Sequence, residues 1–522
     1  MSLNSDEIVQ DIRTEFESML QNVQDSKEKT ADEMERSLFK QLLGLGARLM
    51  LLFFILRARD HTRTEWMTKE SVTLPYHGEN RRSYYSIFGK LSLSRPYYYK
   101  KGVGACSPLD EALSLGDDCY SDLMRELAEF LGVDVTYAKV RQFWSRLLGQ
   151  TLSTQAIQSM VAKDAADVKA YYQEKEAPDV ASEASILVAQ ADGKGVPMVR
   201  ETPVAPKRHL GKGEKRGKKK EAIVTSSYTI EAHPRTPDEV VASFFHPENL
   251  SSASTSPNRT GPNRTGPQNK HVWATLDGKD AALSRLTRQT TNRDGAHILY
   301  RVALTDGCEA LQSRIETYLP DFTLILDFVH ASEYLWDAAN ALYGEQSPRR
   351  PAWAEQQTLK LLSGQIESVI AELERLAQRP RLSQAKRKAF TSAANYFTRN
   401  QPYMHYKDYL AKGWPIASGV IEGACRHLVK DRCELSGMRW TQDGAESLLH
   451  FRAVAENNHW ADYHQHRKEQ RHLRLYDSPI SDRNGLEQQA LSLHDSDKIV
   501  RFDRFNKQRH GQHHSQQQLL AA

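Results

Sequence analysis

Residues 297–344 read HILYRVALTDGCEALQSRIETYLPDFTLILDFVHASEYLWDAANALYG, and their pattern decides the fold class. HILYRVALTDG is an apolar run closed by a turn, and CEALQSRIETYL has helical spacing. FTLILDF is a second short strand and HASEYLWDAANALYG a second helix. Strands and helices alternating at this length predict an α/β structure, with helices layered on a sheet.

Working outward, ILVAQADG, EAIVTSSYTIEA and HVWATL are further strands, while EVVASFF is either a strand or the start of a helix. Between Asn249 and Asn269 the unit NRTGP occurs twice in tandem among turn formers, which predicts a surface loop. Residues 351–410 are mostly helical, and WPIASG then introduces the helix ASGVIEGACRHLVKDRCEL. From about residue 466 the chain turns His-, Gln- and Arg-rich, the composition of a flexible basic tail with non-specific affinity for polyanions.

Upstream, residues 1–60 are helical in pattern and contain the eight-residue run LMLLFFIL, Leu49–Leu56. Eight residues are too few to span a bilayer, so a buried helix is expected and no membrane partner. Residues 61–100 are short, aromatic and broken by Gly89 and Pro96, as in a small hairpin module. Residues 120–170 hold three helical periods, with Ser153 placed to cap the third. Short helices joined by turns resemble a helix-turn-helix DNA-binding segment.

A chain of 522 residues is expected to form two to four domains. The formal net charge of +4 says little, but nine Lys or Arg stand against two Glu between Arg200 and Lys220. Five cysteines without a CxxC pair point to a reducing, cytoplasmic compartment, and the N-terminus carries no secretory pattern. There is no GxxxxGK[ST] loop, so no ATP requirement is expected.

The chemistry is carried by acids. Asp192 and Asp306 end predicted strands, each before a glycine, and Glu422 lies in the first turn of a late helix. Taken singly, each has an ordinary reading as a turn residue or a helix-start charge. Together, at one edge of a sheet, three carboxylates can hold two Mg²⁺ or Mn²⁺ ions for phosphoryl transfer. Asp327, in ILDF and three residues before His330, is the second choice for the middle acid.

Arg426 and Lys430 follow Glu422 at four-residue intervals, as supporting cations. Lys207, Arg208, Lys212, Lys215, Arg216, Lys218, Lys219 and Lys220 form the basic stretch expected to grip a DNA backbone. Arg439 and Trp440 can add a phosphate contact and a stacking indole.

ADGKGVPM at 191–198, LTDGCEAL at 304–311, LDFVHASEYLWDAA at 326–339 and PIASGVIEGACRHLVKDRCELSGMRWTQDGAESLLHFRA at 415–453 carry a family resemblance. Over roughly residues 80–465 the chain resembles bacterial insertion-sequence DDE transposases of the Kra-type group, and more distantly the Mutator-like family. The resemblance implies a ribonuclease-H-like core at 185–345 and 415–465, interrupted by a helical insertion at 346–414. The helical and hairpin region at 1–170 is expected to recognise the element ends, and the basic tail follows the core at 466–522.

The resemblance further implies metal-dependent cleavage at terminal inverted repeats and strand transfer into double-stranded target DNA. The family acids fall on Asp192, Asp306 and Glu422, with His330 beside Asp327. A homo-oligomer working on DNA, associated with the nucleoid, is expected. The rival expectations are a ribonuclease-H-like nuclease or resolvase without strand transfer, and a non-catalytic DNA-binding protein.

Overall fold

The computed structural model describes residues 5–199, 219–246 and 266–477. The chain is mixed α/β with two sheets, one of four strands and one of five. It divides into two compact units. Among the described residues the first comprises 5–132, 137–157 and 461–477, and the second 133–136 and 158–460.

In the first unit, α1 (Ser5–Gln24) and α2 (Ala31–Asp60) form a helical hairpin. Thr30 and Glu33 close α2 with a reciprocal capping box. Strands β1 (Glu65–Met67), β2 (Thr73–Ser86), β3 (Gly89–Lys100) and β4 (Gly104–Cys106) then make an antiparallel meander. Phe54, Met50 and Ala47 of α2 pack on Leu91, Leu93 and Tyr84. Gly46 lies against the Phe88 ring, where a Cβ would clash. Tyr98 is in the hairpin's own core and its hydroxyl donates to the His61 carbonyl at 2.8 Å. After α3 (Pro108–Ala112), Asp110 collects Arg82 and Arg95.

Three helices follow, as the periodicity predicts: α4 (Asp122–Asp134), α5 (Tyr137–Leu148) and α6 (Thr154–Asp164). Ser153 is the predicted cap, its hydroxyl accepting from the Ala156 amide at 3.0 Å. The apolar run in α2 is helical but not buried. Phe54 is its only buried residue, and Leu49, Phe53 and Leu56 are exposed. The length and composition of α2 would let it cross a membrane, whereas the eight-residue run alone would not.

In the second unit, α7 (Val168–Glu174) precedes a five-stranded sheet of order β7-β6-β5-β8-β9. Its strands are β5 (Ile186–Pro197), β6 (Lys219–Ile230), β7 (Gln268–Thr275), β8 (Tyr300–Thr305) and β9 (Thr323–Leu326). β5, β6 and β7 pair antiparallel, while β8 and β9 run parallel to β5. EVVASFF is helix α8 (Pro237–Phe245), started by a Thr236–Glu239 capping box.

Both sheet faces are covered, which explains the unbroken ILVA run. Ala189, Ala191 and Ile223 pack on α9 (Lys279–Arg293) and α10 (Glu309–Tyr318). Ile186, Val188 and Leu304 point the other way, towards α11 (Phe328–Tyr343). Beyond α11 lies the helical layer α12 (Arg349–Leu362), α13 (Ile366–Ala377), α14 (Gln384–Asn400) and α15 (Tyr406–Ala411).

The chain then returns to the sheet through α16 (Gly419–Ala424), a π-helical segment Cys425–Lys430, the short α17 (Asp431–Cys433) and α18 (Gln442–Glu456). The last described helix, α19 (Trp460–His472), runs on in π geometry to Asp477, past the expected start of the tail at 466. Its Arg467 and Arg471 bond Asp122 at 2.9 and 2.6 Å, so this part of the basic C-terminal region is tied to α4.

Candidate metal centre

Asp327 begins α11 where β9 ends. Its backbone amide donates to the Thr305 carbonyl at 2.8 Å, and its Oδ1 caps the helix by accepting from the Val329 amide at 2.6 Å. Oδ2 accepts from the Ser418 amide at 3.1 Å and from the Ser418 hydroxyl. The carboxyl group is fully buried. Burial raises its pKa to about 6, against the pull of the Val329 hydrogen bond and of His330, while the Glu422 charge pushes the same way as burial.

Ser418 links this acid to Glu422. The Ser418 carbonyl accepts from the Ile421 and Glu422 amides at 2.9 and 3.2 Å, and so starts α16. The Phe328 amide donates to the Ile416 carbonyl at 2.8 Å. Two backbone segments far apart in sequence are thereby tied together. One ligand atom each from Asp327, His330 and Glu422 lies within 4.8 Å of the others. Asp327 is buried, His330 half-buried and Glu422 exposed, so the cluster opens to solvent on the Glu422 side. His330 Nδ1 also stands 3.4 Å from Glu333.

These residues fit a divalent cation. Asp327, His330 and Glu422 would hold one divalent cation together, each offering a single ligand atom to the cluster. Three hydrogen bonds occupy Asp327, and a carboxylate has about four lone-pair sites, which leaves one for a metal. The two carboxylates suit Mg²⁺ or Mn²⁺, while the imidazole is a ligand more usual for zinc or iron.

Asp192 is not at a strand end. β5 continues to Pro197 because β6 pairs with it along its whole length, Asp192 opposite Val224. The segment around Trp440 then takes over, its amide donating to the Pro197 carbonyl at 3.0 Å. Asp192 Oδ2 accepts from the Cys425 thiol at 3.2 Å, one turn beyond Glu422. Burial, and then the Asp192 charge, push the Cys425 thiol far up, so it stays a neutral donor.

Asp306 directly follows β8, as predicted. Its Oδ1 accepts from the Cys308 amide at 2.9 Å, and its carbonyl accepts from the Tyr396 hydroxyl at 2.9 Å. Gly307 follows with φ +87, where a Cβ would strike that hydroxyl. Asp306 is thus engaged in turn chemistry and is not a member of the cluster with Glu422.

Beyond Glu422 the π-helical segment alters the simple four-residue register. Arg452 donates to the His427 and Leu428 carbonyls there. Arg426 is exposed and 3.5 Å from Asp431, and Lys430 is exposed. Trp440 is buried, its indole donating to the Cys433 carbonyl at 3.0 Å with Arg432 over the ring, so it packs inward. Arg439 is exposed.

Lys219 and Lys220 lie in β6, and Lys219 pairs with Glu434. Lys207, Arg208, Lys212, Lys215, Arg216 and Lys218, and the tandem NRTGP units up to Thr265, lie outside the described residues. A cavity of about 510 Å³ in this unit, lined by Tyr172, His271, Trp273 and Arg285 among others, includes none of the acids.

Ser418 is the contact sequence reading did not single out. A serine in the turn before an acidic helix was visible, but not which acid it would hold. Against family models and against curated proteins, the chain matches none.

Proposed function

We propose that this chain is a DDE-type DNA transposase, which cleaves DNA at element ends and joins the freed ends to target DNA with Mg²⁺ or Mn²⁺. The observation that carries the reading is the convergence of Asp327, His330 and Glu422, with Asp192 held beside Glu422's helix through Cys425. The sheet supports it as well. Three antiparallel strands followed by two parallel ones suit a ribonuclease-H-like core, and the helical layer α12–α15 stands where an insertion before the last acid is expected.

In this reading Asp327, the second choice from sequence, replaces Asp306 as the middle acid. Bound divalent cations would polarise the scissile phosphate and lower the pKa of the attacking oxygen. Asp327, Glu422 and His330 would hold one ion, and Asp192 would serve a second. Ser418 fixes Asp327 and the start of α16 at once, which sets the spacing of the two carboxylates.

Cleavage forms a bond from a water oxygen to phosphorus and breaks the bond to the 3′ oxygen, which leaves with a proton. That 3′ hydroxyl then attacks a target phosphorus and releases another 3′ hydroxyl, so no oxidant or ATP enters. Arg426, Lys430, Arg439 and the Lys207–Lys220 stretch hold the phosphate backbone, and the three-helix segment at 122–164 recognises the ends. The active species on DNA is a homo-oligomer.

The test is cleavage and joining of a labelled terminus, with end binding measured in parallel. Asp327→Asn, Glu422→Gln and Asp192→Asn are expected to lose at least about 100-fold in rate while binding is retained, and Asp306→Asn to lose much less. Loss of activity in Asp306→Asn with an active Asp327→Asn would restore Asp306 to the site. Cutting without joining would favour the nuclease reading. Binding without either would favour a non-catalytic protein.

A further inference from the structure

We infer that the cavity between α7, β7 and α9 is a binding site for a small phosphate-bearing ligand, anchored on the Arg285 guanidinium. The cavity measures about 510 Å³, within the range of small-molecule sites, and lies wholly inside the second unit. Among the described residues, six Lys or Arg line it against three Asp or Glu. Lys169 takes up Asp277 at 2.9 Å, Arg452 stands 3.9 Å from Glu456, and Arg293 is bound to Glu183. That leaves Glu176 as the remaining acid beside Lys270, Arg285 and Arg288.

Arg285 carries a charge that nothing around it balances. Its Nη2 donates to His271 Nε2 at 3.0 Å and its Nη1 to Gln289 Oε1 at 3.3 Å. Both partners are neutral. His271 is so because burial, together with the charges of Arg285, His459 and Arg293, holds its pKa well below the ordinary value. Burial also lowers the Arg285 pKa, to about 9, and the neighbouring Arg288 charge acts the same way. At neutral pH the guanidinium is still charged. Of its five N–H donors two are spent on these neutral partners, which leaves three for an oxyanion.

The arginine is held in place before any ligand arrives. Its guanidinium carbon lies 3.9 Å from the Trp273 ring centre and 5.3 Å from that of Tyr172. Trp273 is buried, so it supports the arginine and is not a platform for the ligand. Asn457 fixes the walls. It accepts from the Val272 amide at 2.8 Å and donates to the Val272 carbonyl at 3.0 Å and the Tyr172 hydroxyl at 3.1 Å. One side chain after α18 thereby ties β7 to α7.

Arg288, one turn along α9 from Arg285, and Lys270 of β7 are exposed and line the same cavity. A phosphate group suits this set better than a carboxylate, because its two charges and several terminal oxygens match a forked guanidinium with two further cations. A cavity with a half-buried anchor also favours a small molecule over a duplex, whose backbone needs cations along an open surface. The site does not rest on the catalytic reading.

Isothermal titration of the full-length protein with inorganic pyrophosphate, and separately with adenosine monophosphate, tests it. Prior dialysis against EDTA keeps either compound from binding through a metal at Asp327, His330 and Glu422. Wild type is expected to bind both with Kd below about 1 mM, and to melt at a higher temperature when saturated. Lys270→Gln with Arg288→Gln, at exposed side chains, should weaken binding at least about 10-fold with circular dichroism unchanged. Arg285→Met should abolish binding while the ligand-free melting temperature holds or rises, because an apolar side chain replaces an uncompensated charge.

No binding of either compound at about 5 mM overturns the proposal. So does binding that survives both sets of substitutions. An Arg285→Met protein that melts earlier yet binds as wild type does would also overturn it and make Arg285 a structural contact alone. Where Arg285→Met fails to fold, the Lys270→Gln with Arg288→Gln variant decides. A labelled DNA duplex that displaces both compounds, and itself binds at least about 10-fold more weakly to Arg285→Met, would overturn it in favour of a backbone contact.

Discussion

Ile186–Ala191 in β5 and Leu49–Leu56 in α2 are short apolar runs with opposite surroundings. Ile186, Leu187 and Val188 are fully buried, with strands on both edges and helices on both faces. In α2, Phe54 is buried while Leu49, Phe53 and Leu56 each expose more than 40% of their surface. The sheet strand is surrounded by elements that its own unit supplies. The helix has α1 on one side, the hairpin on another, and a third side open. Hydrophobicity alone therefore marks surface that must be covered, without saying by which chain.

Ion pairs differ in the same way. Arg293 and Glu183 of the second unit leave 3% and 1% of their side chains exposed, whereas Arg36 and Asp32 of α2 leave 77% and 68%. Removing one partner of the buried pair has the largest predicted effect. Glu183→Ala should cost about 3–5 kcal/mol of second-unit stability in urea titration, because it strands Arg293. A cost below 1 kcal/mol would show that the pair is effectively solvated. Asp32→Ala should leave the unfolding midpoint unchanged.

Leu304→Ala, at a fully buried position in β8, should cost about 2–5 kcal/mol. Leu49→Ala, at an exposed position, should cost less than about 1 kcal/mol in the same urea titrations. Equal costs at the two positions would erase the contrast between the runs.

The buried pair also predicts a pH dependence. Burial pushes the Glu183 pKa up, but the hydrogen bonds and charge of Arg293, with a bond from Thr229, outweigh it and leave the pKa lowered. The stabilisation is therefore present above the unfolded value of about 4.3 and is lost as pH falls through the folded value. Wild type should lose stability below about pH 4 more steeply than Glu183→Gln. Parallel curves for the two proteins would show that other carboxylates dominate acid unfolding.

Much of the fold was legible because its signals are local. Alternating strands and helices at 297–344, the Ser153 cap and the three helices after Asp122 follow from periodicity and turn chemistry. EVVASFF was ambiguous from its apolar pattern, although Thr236 and Glu239 three residues apart mark the capping box that makes it a helix. The length of β5 was underestimated, because Asp–Gly at 192–193 resembles a turn while continuous pairing to β6 carries the strand through it. Trp440 reads as an available indole until the Cys433 carbonyl is seen to hold it inside.

The site divides along the same line. Sequence alone determined which acids were available, that Asp306 follows a strand, and that Glu422 lies in the first turn of a helix, since each depends on a few neighbouring residues. It misplaced Asp192, which lies within β5. It put Asp306 ahead of Asp327 for the middle place, because Asp306 fits the order of a strand followed by a helix. The tertiary structure instead clusters Asp327 with Glu422. Ser418, 91 residues beyond Asp327, binds that carboxylate and starts the helix of Glu422 in the same contact. Nor did the sequence determine which side of α2 stays bare, since both neighbours that cover its other sides are placed by chain folding. Local spacing sets what each segment is, but distant segments set what each side chain meets, and that requires the closed structure.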